Sequence, residues 1–224
     1  MTDTVGAMQP AILDVDPGVD DALAIILALR SPELEILGVS TVCGNVPVAQ
    51  ATINALQIME LMERPDIPVY AGADHPLKRT PVHAGQVHGK LGLGEACLPK
   101  PRTVPQGQAV DFLIDILASR PGEVVVIATG PLTNLALAEV REPGILDRAR
   151  RVLVMGGALL EPGNVTPVAE FNFFVDPHAA QQIVQLNPRL TLVPLDVTRK
   201  AVLVERAIVA AGGRGDPIAA FCEA

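Results

Sequence analysis

The stretch ILDVDPGVDDALAI, residues 12–25, joins an apolar run of β-strand character to an apolar run of helical character. The join contains four aspartates: Asp14, Asp16, Asp20 and Asp21. The pair Pro17-Gly18 stands in the middle of them and favours a tight turn. The segment therefore predicts a strand over residues 11–15 and a helix over residues 20–29. A strand that runs directly into a helix is the repeating unit of α/β folds.

The rest of the chain repeats this alternation. Further strands are predicted over residues 35–42, 67–70, 123–129, 151–155 and 191–195. Further helices are predicted over residues 48–62, 109–118, 132–140 and 176–185. The continuous apolar runs VVVIA and VLVM are typical of strands that are buried on both faces of a parallel sheet. We therefore expect an α/β fold with an open, doubly wound, mostly parallel sheet and helices on both faces, forming one domain over residues 1–224.

Two of the helix predictions carry local detail. In the helix over residues 48–62, apolar residues recur at spacings of three and four and predict one buried face: Ala49, Ile53, Leu56 and Met59. Near the end of the sequence, Asp216 precedes Pro217. This pair predicts a helix that is capped by the aspartate and has proline at its first position.

Composition narrows the possible partners. The 17 basic and 25 acidic residues give a net charge of −8, which argues against a nucleic-acid polymer as partner but not against an uncharged nucleoside. The three cysteines, Cys43, Cys97 and Cys222, show neither a metal-binding nor a disulfide spacing. The longest apolar run, residues 22–29, is too short to cross a bilayer. We expect a cytoplasmic protein that has no membrane partner.

Polar residues and glycines follow the predicted strands, where each strand ends. Beside the aspartates after the first strand, these are Asn45 in CGNVP, Asp74, Thr129 in ATGPLTN, the segment MGGALLEPGNVTPVAEFN, and Asp196. The carboxyl ends of parallel strands meet at one edge of the sheet, where open α/β folds bind their ligands. The sequence therefore predicts a binding site at this edge. For Asp196 we expect hydrogen bonds to the backbone rather than to a substrate.

The aspartate cluster needs a compensating partner. Two carboxylates ~5 Å apart repel each other by ~1 kcal/mol in water and by more when buried. A helix amino terminus stabilises a carboxylate by only ~0.3–1 kcal/mol. A hard divalent cation, Ca²⁺ or Mg²⁺, would bind carboxylate and carbonyl oxygens here. The alternative is that Asp20 caps the helix while the other three aspartates are solvated.

A different enzyme class also begins with an Asp-x-Asp motif. Phosphatases of the haloacid dehalogenase type use its first aspartate as nucleophile, and their motif usually continues with Gly-Thr. In this chain Pro17-Gly18-Val19 follows, and the sequence shows no later lysine with an acidic pair. The motif therefore disfavours that class.

The segment DVDPGVDDA closely resembles the amino-terminal motif of the nucleoside hydrolases of the inosine–uridine-preferring type. The resemblance continues in order through STVCGNV, VYAGADHPL, HGKLGLG, ATGPLTNLALA, VLVMGG and GNVTPVAEFNFFVDPHAA. It covers nearly the whole chain, which makes it far more specific than any single motif. The family has an open α/β sheet, in agreement with the fold predicted above.

The resemblance implies a role for each matching position. It implies that Asp16 and Asp21 bind Ca²⁺ together with the main-chain carbonyl of Thr129. Asp16 would also be the general base for the attacking water, with Asp14 as support behind it. The residues implied to contact the ribose are Asp20, Asn45, Met155, Asn164, Glu170 and Asn172. His88 is implied to lie beside the nucleobase, although a structural loop histidine remains an alternative.

The implied activity is hydrolysis of the N-glycosidic bond of ribonucleosides to free base and ribose, in nucleoside catabolism and salvage. A homodimer or homotetramer is implied as well. Family members continue beyond the position matching Ala224, and that part carries a His-Asp pair, so we expect the present chain to be shortened at its carboxyl end. The alternative hypothesis is therefore a catalytically impaired relative that binds a riboside or calcium. The absence of tryptophan weakly disfavours the purine-specific type.

Overall fold

A six-stranded sheet forms the centre of the computed structural model, which describes residues 8–186, 190–202 and 217–223. Its strands are β1 (Gln9–Val15), β2 (Leu34–Thr41), β3 (Val69–Tyr70), β4 (Val125–Ala128), β5 (Arg151–Met155) and β6 (Leu190–Val193). Every neighbouring pair of these strands is parallel. The strand order is β3-β2-β1-β4-β5-β6, which confirms the predicted doubly wound sheet.

Helices connect the strands. The longer ones are α1 (Val19–Arg30), α2 (Val48–Leu61), α4 (Ala109–Ser119), α5 (Thr133–Arg141) and α7 (Pro177–Leu186). The shorter ones are α3 (Gly85–His88), α6 (Phe171–Val175), α8 (Leu195–Thr198), α9 (Pro217–Glu223) and a 3₁₀ turn at Leu146–Arg148. Among the helices of the described ranges, none is both long and apolar enough to cross a membrane. The capping prediction for Asp216 lies outside the described residues.

All six predicted strands and all five predicted longer helices are present, with shifted ends. The clearest shift is at the sixth strand, which ends at Val193 instead of residue 195. Pro194 follows it, and Leu195 begins α8. The helix predicted from residue 176 begins at Pro177, because the side chain of Asp176 accepts the main-chain N–H of Ala179 and caps it. The short helices α3, α6 and α8 were missed because one turn shows no periodicity, whereas α9 begins at Pro217, as predicted.

Two apolar cores lie on opposite faces of the sheet. One core is formed largely by α4, α5 and α7 and centres on Leu113, Leu117, Leu135, Ile145 and Ile183. The other is formed largely by α1 and α2 and centres on Val15, Ile25, Ala55, Ile58 and Met59. Burying each of the large aliphatic side chains stabilises the fold by about 1.5–3 kcal/mol. Helices therefore cover both faces, as the sequence predicts.

The predicted buried face of α2 is wrong in part. Leu56 and Met59 are buried, but Ile53 and Ala49 are exposed. The buried side of α2 instead includes Ala51 and two polar residues, Thr52 and Asn54. Apolar residues surround most of this helix, so their spacing alone does not define the side that packs on the sheet. The polar residues become buried because each finds hydrogen-bond partners there.

The topology places a crevice at the carboxyl end of β1. From β1 the chain winds outward through β2 and β3 on one side, and then returns to β4 on the other side. Connections therefore leave β1 and β4 in opposite directions. This is the switch point at which open α/β sheets bind ligands. Asp14 lies at the end of β1 and Thr129 directly follows β4, so both lie at this point.

Candidate active site

The aspartate loop, residues 14–21, lies at the carboxyl end of β1 and the beginning of α1. The four carboxyl groups of this loop differ in their exposure to solvent. Asp14, Asp16 and Asp21 are buried, whereas the side chain of Asp20 is 77% exposed. The alternative in which three of the four aspartates are solvated is therefore wrong. Three acids are held inside the protein, where leaving one charged costs several kcal/mol unless it is compensated.

Asp14 is held from two sides. Its Oδ1 accepts the hydroxyl of Ser40 over 2.5 Å and the amide N–H of Asn134 over 2.8 Å. The other oxygen, Oδ2, is buried, and none of the described residues forms a hydrogen bond with it. Burial raises the pKa of Asp14 to about 6, although both hydrogen bonds act in the opposite direction. This position behind the loop agrees with the supporting role expected for Asp14.

Asp16 is fully buried, like Asp14. Its Oδ2 accepts the main-chain N–H of Asn45 over 2.7 Å. The backbone approaches so closely that a Cβ on Gly44 would lie 1.9 Å from that oxygen, which explains the glycine in CGNVP. The other oxygen, Oδ1, is buried and has no hydrogen-bond partner in the ranges that the structure describes. Burial raises the pKa of Asp16 well above its ordinary value, and the charge of Asp21 raises it further.

Asp21 links three segments of the chain. Its Oδ1 accepts the hydroxyl of Thr129 over 2.5 Å, while Oδ2 accepts the main-chain N–H of Gly18 at 3.1 Å and the side-chain N–H of Asn45 at 3.2 Å. Burial raises the pKa of Asp21 to about 7, and the charge of Asp20 adds to the effect. Asp16, Asp21, Asn45 and Thr129 are thus brought together, as the sequence predicts for the edge of the sheet.

The site concentrates negative charge without a protein cation. In the part of the chain that the structure describes, no lysine or arginine forms an ion pair with Asp14, Asp16 or Asp21. Within the same residues, no three acidic, histidine or cysteine side chains are arranged to hold a metal ion. The oxygen atoms near the switch point that could bind a cation belong to the carboxylates of Asp16 and Asp21 and to the main-chain carbonyl of Thr129.

A second group of predicted residues lies beside β5. Asn172 donates its side-chain N–H to the carbonyl of Thr129 over 2.6 Å and to the carbonyl of Met155 over 3.3 Å. Glu170 caps α6 by accepting the N–H groups of Asn172 and Phe173, and it also accepts the N–H of Gly157. Burial raises the pKa of Glu170 above its ordinary value. Asn172 therefore connects the β5 side of the site to the Thr129 carbonyl.

The remaining predicted residues lie at the rim. His88 Nδ1 accepts the main-chain N–H of Val19 over 3.3 Å and lies 3.8 Å from Asp20 Oδ1, so the structure brings these two predicted residues together at the start of α1. Asn164 lies in the exposed loop after β5, where its main-chain N–H donates to Ala169. None of the hydrogen bonds found among the described residues joins the Asn164 side chain to the other site residues.

The structure reveals a buried polar residue, Asn134, that the sequence interpretation missed. Asn134 is fully buried, and its side chain contacts Asp14, the carbonyl of Thr41 and the N–H of Ala73. It thereby joins the ends of β1 and β2 to the loop after β3. The only available signal was its place in ATGPLTN, where only Thr129 was singled out. By contrast, Asp196 accepts the N–H groups of Leu159, Leu160 and Glu161, as predicted.

Comparison with known proteins agrees with this fold. The family model described as inosine-uridine preferring nucleoside hydrolase matches residues 11–223. Uridine nucleosidase 1 of Arabidopsis thaliana is 43% identical over 203 residues, which are 90% of this chain and 60% of that protein. The pyrimidine-specific ribonucleoside hydrolase RihA of Salmonella enteritidis is 41% identical over 93% of this chain and 67% of its own length.

A solved structure of a ribonucleoside hydrolase is also similar to this chain. The purine-preferring ribonucleoside hydrolase from Gardnerella vaginalis superposes with a TM-score of 0.93 at 34% identity, over 96% of this chain and 70% of that one. The chain belongs to the inosine-uridine preferring nucleoside hydrolase family. It spans 60% of the length of the Arabidopsis relative and 62% of a 51% identical relative from Schizosaccharomyces pombe.

Proposed function

We propose that this chain acts in the hydrolysis of the N-glycosidic bond of ribonucleosides to free base and ribose. The observation that carries the proposal is the convergence of Asp16, Asp21, Asn45 and Thr129 at the switch point. Family membership supports the same activity, because the named relatives are nucleosidases or ribonucleoside hydrolases. Breaking this bond develops positive charge on the sugar, which buried carboxylates and amide oxygens stabilise.

The residues at the switch point fit a hard divalent cation, which we propose to be Ca²⁺. Asp16 Oδ1 is buried and accepts no hydrogen bond from the described part of the chain, as expected for an oxygen that binds an ion. Asp16 and Asp21 together with the Thr129 carbonyl would hold it, since carboxylate and carbonyl oxygens suit this ion. When bound, the ion would supply positive charge that lowers the pKa of a bound water and orients the ribose hydroxyls.

In this proposal each residue of the site has its own role in the reaction. Asp16 accepts a proton from the attacking water at its carboxylate, and the Asn45 N–H keeps that group in place. Asp20, which is exposed at the rim, binds a ribose hydroxyl. Asn45, Met155, Asn164, Glu170 and Asn172 complete the ribose contacts in this proposal. His88 borders the nucleobase in this proposal, and its position at the start of α1 next to Asp20 supports this.

The substrate class proposed is an uncharged ribonucleoside, with no choice between base types. One relative is named a uridine nucleosidase, another is named pyrimidine-specific, and a structural neighbour is named purine-preferring. The overall similarity thus spans both preferences.

The oligomeric state and the location of the protein stay predictions. Size-exclusion chromatography with light scattering tests for a homodimer or homotetramer, and cell fractionation tests for a cytoplasmic location.

The experiment is a ribose-release assay with inosine and with uridine in the presence of calcium. We expect free ribose to accumulate from at least one of the two, and Asp21→Ala to abolish it. Calorimetry with the same nucleosides runs beside the assay. Binding of a nucleoside without ribose release contradicts the proposed activity and favours the alternative of an impaired riboside-binding relative. Ribose release that is unchanged by Asp21→Ala contradicts the proposed role of Asp21.

A further inference from the structure

A short strap, residues 88–94, packs against both the aspartate loop and α2. The strap closes on itself, because the N–H of Gly94 donates to the carbonyl of His88 over 2.9 Å. At one end of it, His88 accepts the N–H of Val19. Near the other end, Leu93 is buried in the core with α1 and α2. His88, a predicted substrate-binding residue, therefore lies on a strap that is fixed to the core through Leu93.

Asn54 on α2 joins this strap to the aspartate loop. Its side chain is fully buried. Its amide nitrogen donates to the carbonyl of Pro17, in the middle of the aspartate loop, over 3.0 Å and to the carbonyl of Leu91, in the strap, over 2.8 Å. Its oxygen accepts the side-chain N–H of Gln50 over 2.8 Å. Both N–H groups and the oxygen of Asn54 are therefore used.

The contact between strap and loop leaves no free space. A Cβ on Gly92 would lie 2.9 Å from the Asn54 amide nitrogen, from the carbonyl oxygen of Pro17 and from a methyl group of Val46. Gly92 also has a φ of +91°, a backbone conformation that side chains disfavour. The strap thus lies directly on the aspartate loop at the level of Asn54.

We propose that Asn54 is a positioning residue, which holds the strap on the aspartate loop and so places His88 at the rim of the candidate site. The inference deepens the proposed function and rests on it for its kinetic test. A side chain that donates to two main-chain carbonyls fixes their separation, and both carbonyls lose their partner when it is removed. Asn54 itself touches no substrate in this proposal.

The chain supplies a matched control on the same helix. Gln57, one turn after Asn54, also donates its side-chain N–H groups to two main-chain carbonyls, those of Leu98 and Pro99. These carbonyls follow the strap and lie outside the aspartate loop. Asn54→Ala and Gln57→Ala therefore each remove two hydrogen bonds to main-chain carbonyls from one helix, and only the first removes the connection between strap and loop. Asn54→Ala also removes the bond from Gln50.

The test measures ribose-release kinetics and amide hydrogen exchange for both variants. We expect Asn54→Ala to lower kcat/KM at least tenfold and Gln57→Ala to lower it less than threefold. Exchange at the amides of Gly92 and Gly94 should accelerate at least tenfold in Asn54→Ala, while the amides of β1 and β4 keep their rates. Equal kinetic losses in both variants, or unchanged exchange at Gly92 and Gly94, would overturn the proposal.

A double-mutant comparison tests whether Asn54 acts through His88. In a His88→Ala background, Asn54→Ala should lower kcat/KM less than threefold, since the strap then no longer carries the histidine. A full tenfold loss in that background contradicts the proposal. If Asn54→Ala does not fold, Asn54→Leu replaces it, because leucine is close to asparagine in size and cannot donate to the carbonyls of Pro17 and Leu91.

Different results would contradict the proposed function and the positioning role of Asn54. If the wild-type chain releases no ribose from either nucleoside, the proposed function fails, whereas the exchange rates still report whether Asn54 holds the strap. If the wild type releases ribose and Asn54→Ala matches it in both kcat/KM and strap exchange, the positioning role fails and the proposed function stands.

Discussion

The hydroxyl of Thr129 donates to Asp21 Oδ1 over 2.5 Å, which joins two residues that are 108 positions apart in the sequence. Thr129 follows β4 and Asp21 lies in the first turn of α1, so the bond crosses the point where the winding of the sheet reverses. The sheet order alone brings these residues together. Because the ends of β1 and β4 are adjacent, side chains from two distant segments share one small volume at the candidate site.

Asp16→Asn tests the general base. The variant keeps the shape of the side chain and an oxygen that can accept the Asn45 N–H, but it removes the proton acceptor. We expect kcat for ribose release to fall by about 10²–10⁴. The free energy of unfolding should not decrease, because the substitution removes a buried carboxyl whose pKa burial already raises. The measurements are ribose-release kinetics and urea unfolding.

Asp115→Asn on α4 is the control for this variant, because Asp115 is exposed and lies outside the candidate site. It should retain wild-type kcat. Ribose release by Asp16→Asn within tenfold of the wild type would rule out Asp16 as the base.

Calcium should stabilise the protein through Asp21. Because the ion binds the folded chain, we expect it to raise the free energy of unfolding by about 2.7 kcal/mol at a concentration of 100 times Kd. Asp21→Asn should lose most of this gain, because it removes one of the two carboxylates that are proposed to bind the ion. Asp20→Asn should keep it, because the Asp20 side chain is 77% exposed and lies outside the proposed ligand set.

The measurement for this prediction is thermal unfolding with and without calcium, with magnesium as a second ion. An equal gain in Asp21→Asn and in the wild type would show that calcium binds elsewhere.

Asn134→Ala tests the polar bridge behind the aspartate loop. Its side chain bonds to Asp14, to the carbonyl of Thr41 and to the N–H of Ala73, and the alanine leaves all three without that partner. We expect a loss of about 2–3 kcal/mol in the free energy of unfolding, since unsatisfied buried groups cost about 1–3 kcal/mol. Urea unfolding measures the loss.

Gln182→Ala is the matched control, because Gln182 makes one half-buried bond to the carbonyl of Ala136. Its expected loss is at most about 1 kcal/mol. A loss in Asn134→Ala no larger than that in Gln182→Ala would contradict the bridging role.

Sequence patterns predicted the parts of the fold that depend on continuous hydrophobic burial. The runs around Val126 and Val154 predicted the central strands β4 and β5, and both residues are fully buried. Sequence patterns did not predict the short helices α6 and α8, because these are five and four residues long and depend on tertiary contacts. Glu170, for example, forms the amino-terminal cap of α6 with the same carboxylate that binds the N–H of Gly157 from another loop.

The candidate site was predictable where its residues follow strands. Asp16 and Thr129 stand directly after a strand and Asn45 stands four residues after one, so the topology rule was sufficient to bring them together. Asn54 and Asn134 were not predictable in this way. They lie within helices, and their partners Pro17 and Asp14 are 37 and 120 positions away. A buried amide in a helix has no periodic pattern, and only the folded chain shows what it bonds to.

Asp196 should make the stability of the loop after β5 depend on pH. Its carboxylate accepts the N–H groups of Leu159, Leu160 and Glu161, and these bonds lower the pKa of Asp196 below the ordinary value of 3.8. The ionised form is thus favoured in the fold. Its stabilisation is present above pH 3.8 and is lost as the pH falls through the lower folded value.

The measurement is the difference in urea midpoint between the wild type and Asp196→Asn, taken at several pH values from 6 down to about 2. We expect the wild type to be more stable at pH 6 and the difference to shrink below the ordinary pKa, because protonation then removes the negative acceptor in the wild type as the substitution does. Hydrogen exchange at Leu159 and Leu160 should accelerate over the same range. A difference that is constant across the whole range would show that the Asp196 charge does not hold this loop.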